Sequence, residues 1–403
     1  GSSRICLGSG AFSRGSASPG FPGPRRAPAP PSNMSNITEL AASVSNLEAL
    51  LTATKADYNE SLDTIWMLLA SLLVFFMHAG FSVLEAGCVR LKNTQNILVK
   101  NLLVVTVGFL CWFFVGYPFA FGVPASPNKF AGHTNFAMDG FMQNKDGFRF
   151  WFFQGAFCAT GGTIVSGAMA ERTQLKGFAI FTILMTSVIY PIVVYWGWSG
   201  EGLLAYGDGV SVVGPALSDF AGSGLVHMVG GVGALVGALA VGARAGRWEE
   251  SMAEDFDAHS VPFCVLGTFF LWFGWYGFNP GSTGSMHDKG TANDAGLVAV
   301  NTTLSPCVAG LVVFVLRATL VSPKKLDVGG FCNGILAGLV AITAGCAAVQ
   351  PYEALFIGFF GGLVYQGASM LMKKLKVDDV VDAFAVHGAT GFWGLVALGF
   401  FGD

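Results

Sequence analysis

Charge is scarce in this sequence. Of 403 residues only 12% are Asp, Glu, Lys or Arg, about half the share found in ordinary soluble domains, which excludes a water-facing globular chain. The formal net charge is -3 and no long block of like charge occurs, so nucleic acid is not indicated as a partner. The eight cysteines (Cys6, Cys88, Cys111, Cys158, Cys264, Cys307, Cys332 and Cys346) contain no CxxC pair. Neither a disulfide frame nor a zinc site follows from their spacing, and most read as small residues inside apolar runs. Residues 1–33 hold no acid and no apolar core of signal-peptide length, which argues against a cleaved secretory signal. Their Gly, Ser, Pro and Arg content fits a disordered tail or a non-native extension ahead of Met34.

What is present is apolar. Hydrophobic residues make up 53% of the chain, and from Asp63 onward apolar runs of about 20 residues recur, each long enough to cross a hydrocarbon core of about 30 Å as a helix. Ten are read, over residues 63–88, 97–122, 150–170, 177–199, 218–242, 261–280, 294–317, 328–347, 352–372 and 381–401. They lack the two-residue alternation of barrel strands, so the fold class is an all-α polytopic membrane protein. Glycine is abundant, at 55 residues, and its spacing in Gly230, Gly231, Gly233 and Gly237 permits close helix approach. Residues 34–62 form an N-terminal segment and residues 63–403 the transmembrane domain.

Orientation follows from the basic residues. One alternate set of loops carries Arg90, Lys92, Lys100, Arg172, Lys176, Arg244, Arg247, Arg317, Lys324, Lys325, Lys373, Lys374 and Lys376, whereas the other carries Lys129, Lys145, Arg149 and Lys289, with Lys55 in the N-terminal segment. The positive-inside rule makes the first set cytoplasmic and the N-terminus external. Asn36 and Asn59 then stand in external N-x-[ST] sequons, which permit glycosylation.

Two histidines interrupt this apolar pattern at matching places. In "DFAGSGLVHMVGG" His227 follows Asp219 by eight residues, and in "VDDVVDAFAVHGATG" His387 follows Asp379 by eight. Eight residues of helix span roughly 12 Å, so both imidazoles reach mid-depth, from opposite faces under the proposed topology. Five spans separate the two segments, which predicts inverted five-helix repeats around a central pore with the site at the midplane. Glycines follow each histidine and are expected to leave the imidazoles against backbone. A lone histidine on an apolar helix reads as core packing, but paired depth and context point to a pore or relay.

"FQGAFCATGGTIVSGAMAERT", "DFAGSGLVHMVGG", "FLWFGWYGFNPGS" and "VDDVVDAFAVHGATG" resemble the motif segments of the Amt/Mep/Rh ammonium transporter family, in its Amt branch, and "EAGCVRLKNTQNI" is similar to the end of the first span in cyanobacterial and algal-type members. The resemblance runs from about residue 60 to 403. It implies a homotrimer in the lipid bilayer, most naturally the plasma membrane, each subunit conducting ammonium or ammonia, with methylammonium as an analogue and no cofactor, metal or enzymatic activity. By the same resemblance His227 and His387 match the twin pore histidines, and Phe157 and Phe278 the phenyl pair closing the outer end. Trp198 and Ser282 match the ammonium recruitment site, with Phe157 as its floor and Phe153 beside it. Trp275 matches a pore-flanking tryptophan, Asp219 an aspartate ordering backbone near the recruitment site, and Asp382 its counterpart in the second repeat. Trp196 in "VVYWGWSGEGLLA" is the alternative register for Trp198.

These roles fit the chemistry of the residues. Aromatic faces and a hydroxyl can bind a cation without a formal negative charge, a phenyl constriction penalises an ion far more than neutral ammonia, and two imidazoles can relay hydrogen bonds or protons. His78 reads as packing, and Glu85 and the Glu171–Arg172 pair as interfacial anchors. The alternatives are an ammonium sensor on the same scaffold, which a fused signalling domain would support; an intramembrane metal enzyme, which needs a third ligand near the histidines; and an Rh-type gas channel, against which Trp198 and Ser282 argue. Family members have an eleventh span and a cytoplasmic tail, so a truncated sequence is expected.

Overall fold

The structure is a computed structural model that describes residues 33–126, 128–143, 145, 147–205, 216–321 and 326–402. The chain divides into two units, residues 1–56 and 57–403. In the first, the described residues are helical, and residues 36–56 are exposed. The disordered tail or non-native extension expected at residues 1–33 lies outside the described residues except for Asn33.

Regular structure is entirely helical among the described residues. The continuous helices are α1 (Asn33–Cys88), α2 (Leu91–Phe121), α3 (Gly147–Ala168), α4 (Leu175–Trp198), α5 (Ser223–Val241), α6 (Val261–Thr283), α7 (Lys289–Val321), α8 (Val328–Ile342), α9 (Pro351–Lys374) and α10 (Phe384–Phe401). Eight are long and apolar enough to cross a membrane; α3 and the shorter apolar α8 stand outside that set. Residues such as Phe114, Val236, Phe273 and Leu311 present large apolar side chains on the outer surface. That surface is stable against hydrocarbon and costly against water, so the chain is an integral membrane protein.

Proline and glycine shape the bundle locally. Tyr117-Pro118 in α2 and Tyr190-Pro191 in α4 each follow a five-residue π turn, Trp112–Gly116 and Met185–Ile189. Proline cannot donate to the preceding turn, and the wider turn absorbs the missing bond. Helix α5 meets α10 through Gly231 and Gly388: a Cβ added to Gly231 would stand 2.1 Å from the Gly388 nitrogen. The expectation that these glycines leave the imidazoles against backbone is therefore refined, because Gly231 clears room for the other chain segment.

Several charged side chains sit elsewhere than the sequence reading placed them. Glu85 is 1% exposed; its carboxylate accepts from Ser166 Oγ at 2.6 Å and Asn101 Nδ2 at 2.6 Å. It is no interfacial anchor. Lys100 lies within α2, fully buried, with Nζ 3.5 Å from the Met169 carbonyl and over the Phe178 ring. Arg317, near the end of α7, is also buried and donates to Asp327, Gln366 and Tyr365. Neither is a loop residue.

The Glu171–Arg172 pair likewise belongs to a network. Glu171 holds Arg90 at 2.5 Å and Arg244 at 3.2 Å, and Arg244 grips Asp378 through Nε at 2.9 Å and a second nitrogen at 2.9 Å. Arg247 reaches Asp378 at 3.3 Å, and Arg172 donates to the carbonyls of Gly242 and Asp378. The connections after α1, α3, α5 and α9 are thereby tied into one collar.

Candidate functional site

The site is built on two turns that repeat each other. The Asp219 carboxylate accepts from the backbone N–H groups of Gly222, Gly224 and Leu225 at 3.0, 2.9 and 2.8 Å, satisfying donors that a helix start leaves open. Gly222 has φ 104°, a conformation that a side chain would strain. A π turn, Ser223–Met228, then carries His227. In the second copy Asp379 accepts from Phe384 N–H at 2.8 Å, and the π turn Phe384–Ala389 carries His387. The position equivalent to Asp219 is thus occupied by Asp379. Asp382 instead accepts from Tyr365 and Ser369 at 3.0 and 2.8 Å and lies 3.8 Å from Arg317.

His227 and His387 meet at Nδ1 to Nδ1, 3.2 Å apart, with ring centroids 5.2 Å apart and planes within 18°. One Nδ1 must carry the hydrogen and the other offer its lone pair. If both rings are neutral, one Nε2 is then a donor and the other an acceptor. Both residues are buried, and His227 Nε2 has no protein partner. Trp275 stacks on His227 at 4.9 Å and 13°, and donates its Nε1–H to Thr343 Oγ1 at 3.0 Å. Phe81 lies against His387, with centroids 6.2 Å apart.

From His227 and Trp275 the aromatic column continues through Phe278. Phe278 is 5.2 Å from the imidazole and stacks on Phe157 at 4.0 Å and 17°. Phe157 touches Phe153 at 4.5 Å and meets Trp198 edge-on at 6.1 Å. Phe153, Phe157, Trp198 and Ser282 line one open cavity of about 380 Å³, together with Gln154 and Arg149. Trp198 donates Nε1–H to the Asp219 carbonyl at 2.8 Å, so the vestibule and the first histidine turn share a residue. Trp196 points elsewhere, donating to the Phe130 carbonyl, and the register that selects Trp198 accords with this cavity.

This arrangement offers a cation acceptors without a lining carboxylate. Ser282 lines the cavity and its Oγ–H donates to the Phe278 carbonyl at 2.8 Å, a bond that leaves the oxygen lone pairs unused, and Gln154 Oε1 is buried without a protein partner. Arg149 is held by Glu60 and by Thr64 at 2.7 Å. Among the described residues no cluster of three metal-binding side chains occurs.

The model of the Ammonium Transporter Family matches residues 65–403. This chain belongs to the ammonium transporter family. It is 38% identical to ammonium transporter 1 member 3 of Solanum lycopersicum over 86% of this chain and 76% of that protein, and 40% identical to the ammonium transporter Amt2 of Archaeoglobus fulgidus over 85% and 72%. Among solved structures it resembles a sensor Amt protein, with TM-score 0.77, 33% identity and coverage of 86% and 84%. Candida albicans Mep2 follows, with TM-score 0.74, 32% identity and coverage of 85% and 73%. The family consists of transporters and not enzymes, and its substrate is ammonium or ammonia. The chain is an ammonium transporter, and His227, His387, Phe157, Phe278, Phe153, Trp198, Trp275, Ser282 and Asp219 form one continuous assembly in it, whereas Asp382 stands apart.

Sequence reasoning passed over Gln154, Phe81 and Thr343. Gln154 had a usable signal, a single amide inside the aromatic run "FWFFQGAF". Phe81 and Thr343 had none, being ordinary residue types whose positions matter only through the contacts they make.

Proposed function

We propose that ammonium is recruited at the vestibule of Phe153, Phe157, Trp198 and Ser282, loses its proton there, and passes as ammonia between Phe157 and Phe278 and along His227 and His387. The observation that carries this reading is the 3.2 Å imidazole contact at the end of a stacked phenyl pair. A desolvated cation–π contact contributes up to about 2 kcal/mol, enough to hold a cation at the mouth. Stripping the remaining hydration to enter a phenyl constriction costs several kcal/mol, so the neutral molecule crosses. Inside, the donor and acceptor Nε2 atoms replace part of the lost water.

Ten spans in residues 63–403 with the N-terminus outside and residues 34–62 external are what run length and loop charges support, and inverted five-helix repeats, a homotrimer and a plasma-membrane location are what the family resemblance implies. An ammonium-sensing role is the second reading, favoured by the likeness to the sensor Amt protein. Reconstitution into liposomes separates the two. A transporter gives ammonium-dependent flux that methylammonium competes with; saturable binding without flux would assign the chain to sensing.

A further inference from the structure

Conduction does not use the thiols at the charged end of the bundle. Along α1, Leu84 and Cys88 follow Phe81 on the same face, leading away from His387. Cys88 is the last residue of α1 and Cys264 lies in the first turn of α6; their Sγ atoms are 3.5 Å apart. Both line a cavity of about 200 Å³, as do Cys332, Arg247, Asp379 and Asp382. The Ser260 N–H donates to the Gly87 carbonyl at 3.1 Å, so backbone contact at the neighbouring residues, and not chance rotamers, brings the two helix ends together. This polar cavity admits water and small solutes to a thiol pair.

We propose that Cys88 and Cys264 are a reversible redox site, closed to a disulfide by a peroxide-class oxidant, which lowers conduction by fastening α1 to α6 beside the pore. A disulfide needs its sulfurs at about 2.05 Å, so closure requires a relative movement of about 1.5 Å, within reach of side-chain rotation. Cys88 is half-buried and Cys264 buried, and the hydrogen bond between the two sulfurs makes one the donor and leaves the other as the nucleophile. The thiolate of one cysteine attacks one peroxide oxygen, the O–O bond breaks, and the departing hydroxide takes the proton that thiol released to leave as water. The resulting sulfenic acid is attacked at sulfur by the second cysteine of the pair, the S–O bond breaks, and the second hydroxide leaves as water with the remaining thiol proton. Two thiols are oxidised by two electrons and one hydrogen peroxide is reduced to two waters. Thiol reductants reverse it by exchange.

The transport arm of the test rests on the conduction reading, while the chemical arm does not. The chain in proteoliposomes is pulsed with hydrogen peroxide, capped with N-ethylmaleimide, digested without reductant and mapped by mass spectrometry, with ammonium flux measured in parallel. The expected result is a linked Cys88–Cys264 peptide and at least a threefold fall in flux, both restored by dithiothreitol, both lost in Cys88→Ser and both kept in Cys332→Ser. No linked peptide from protein that remains folded by size-exclusion chromatography overturns the site. A linked peptide with unchanged flux, or a flux loss that persists in Cys88→Ser, overturns its role in conduction. Absent ammonium flux before oxidation instead counts against the transport reading and leaves the peptide map to judge the thiols.

Discussion

The two histidine turns are chemically alike at the imidazole and unlike behind it. The His227 turn is backed by Asp219, whose carboxylate gathers three backbone donors and whose carbonyl receives Trp198. The His387 turn is backed by Asp379, which accepts from Phe384 and lines the polar cavity shared with Arg247, Asp378 and Asp382. The first turn is thus coupled to an aromatic mouth without a lining carboxylate and the second to one lined by several carboxylates. A repeated scaffold can hold two equivalent side chains at one place while each half is specialised for a different solvent boundary.

The strongest test of their equivalence removes each imidazole. His227→Ala and His387→Ala are both expected to abolish ammonium flux or change its ion selectivity, with insertion retained, as measured by flux and current in proteoliposomes. Wild-type rate and selectivity in either variant would make that histidine structural. Removing the carboxylates probes the difference behind them. Charge-assisted hydrogen bonds contribute about 1.5–3 kcal/mol each, so Asp219→Ala should lower the detergent-solubilised unfolding temperature more than Asp379→Ala does; the reverse order would show that the second turn is the more tightly held.

The aromatic mouth is tested more gently. Trp198→Leu keeps apolar bulk and removes the indole face, so the half-saturating methylammonium concentration should rise several-fold and, if the full contribution of about 2 kcal/mol is lost, more than tenfold, since about 1.4 kcal/mol is a factor of ten. Trp196→Leu should leave it unchanged. A shift at Trp196 alone would move the recruitment site to the neighbouring tryptophan.

The smallest effect is expected from acid on the charged end. Burial pushes the Asp378 carboxyl up, but the Arg244 side chain and backbone N–H outweigh this and hold it below its ordinary value of 3.8. A depressed carboxyl stabilises the fold above its unfolded value, and that contribution fades as pH falls through the folded value. Stability should therefore be flat from pH 7 to about 5 and decline below about 4, and Asp378→Asn should flatten the decline. An unchanged acid limb in that variant would remove Asp378 as its source.

Much of this architecture was legible because bilayer thickness converts directly into run length, and because the eight-residue interval from Asp219 to His227 recurs from Asp379 to His387. Buried charges were not. Glu85, Lys100 and Glu171 stand near span ends, where sequence position alone cannot distinguish a side chain reaching for headgroups from one satisfied by Ser166, Met169 or Arg90 across the bundle. The counterpart of Asp219 was misplaced for a related reason: Asp378, Asp379 and Asp382 crowd one short stretch, and only hydrogen-bond geometry separates the turn-capping residue from the one that ties Arg244 and the one that faces Tyr365. The Nδ1 contact itself was beyond reach, since it depends on Gly231 admitting Gly388 to within a distance no Cβ would allow.

The collar around Glu171 and Asp378 has a mechanical consequence. A carrier that works by rocking one bundle against another must part its helix ends once per cycle. Parting these would leave buried guanidinium and carboxylate groups unpaired, and disrupting even one such pair costs about 3–5 kcal/mol. A bundle clasped in this way acts as a fixed frame, and flux through it should have the shallow temperature dependence of permeation through a standing passage instead of the steep dependence of a machine that opens and closes for every molecule carried.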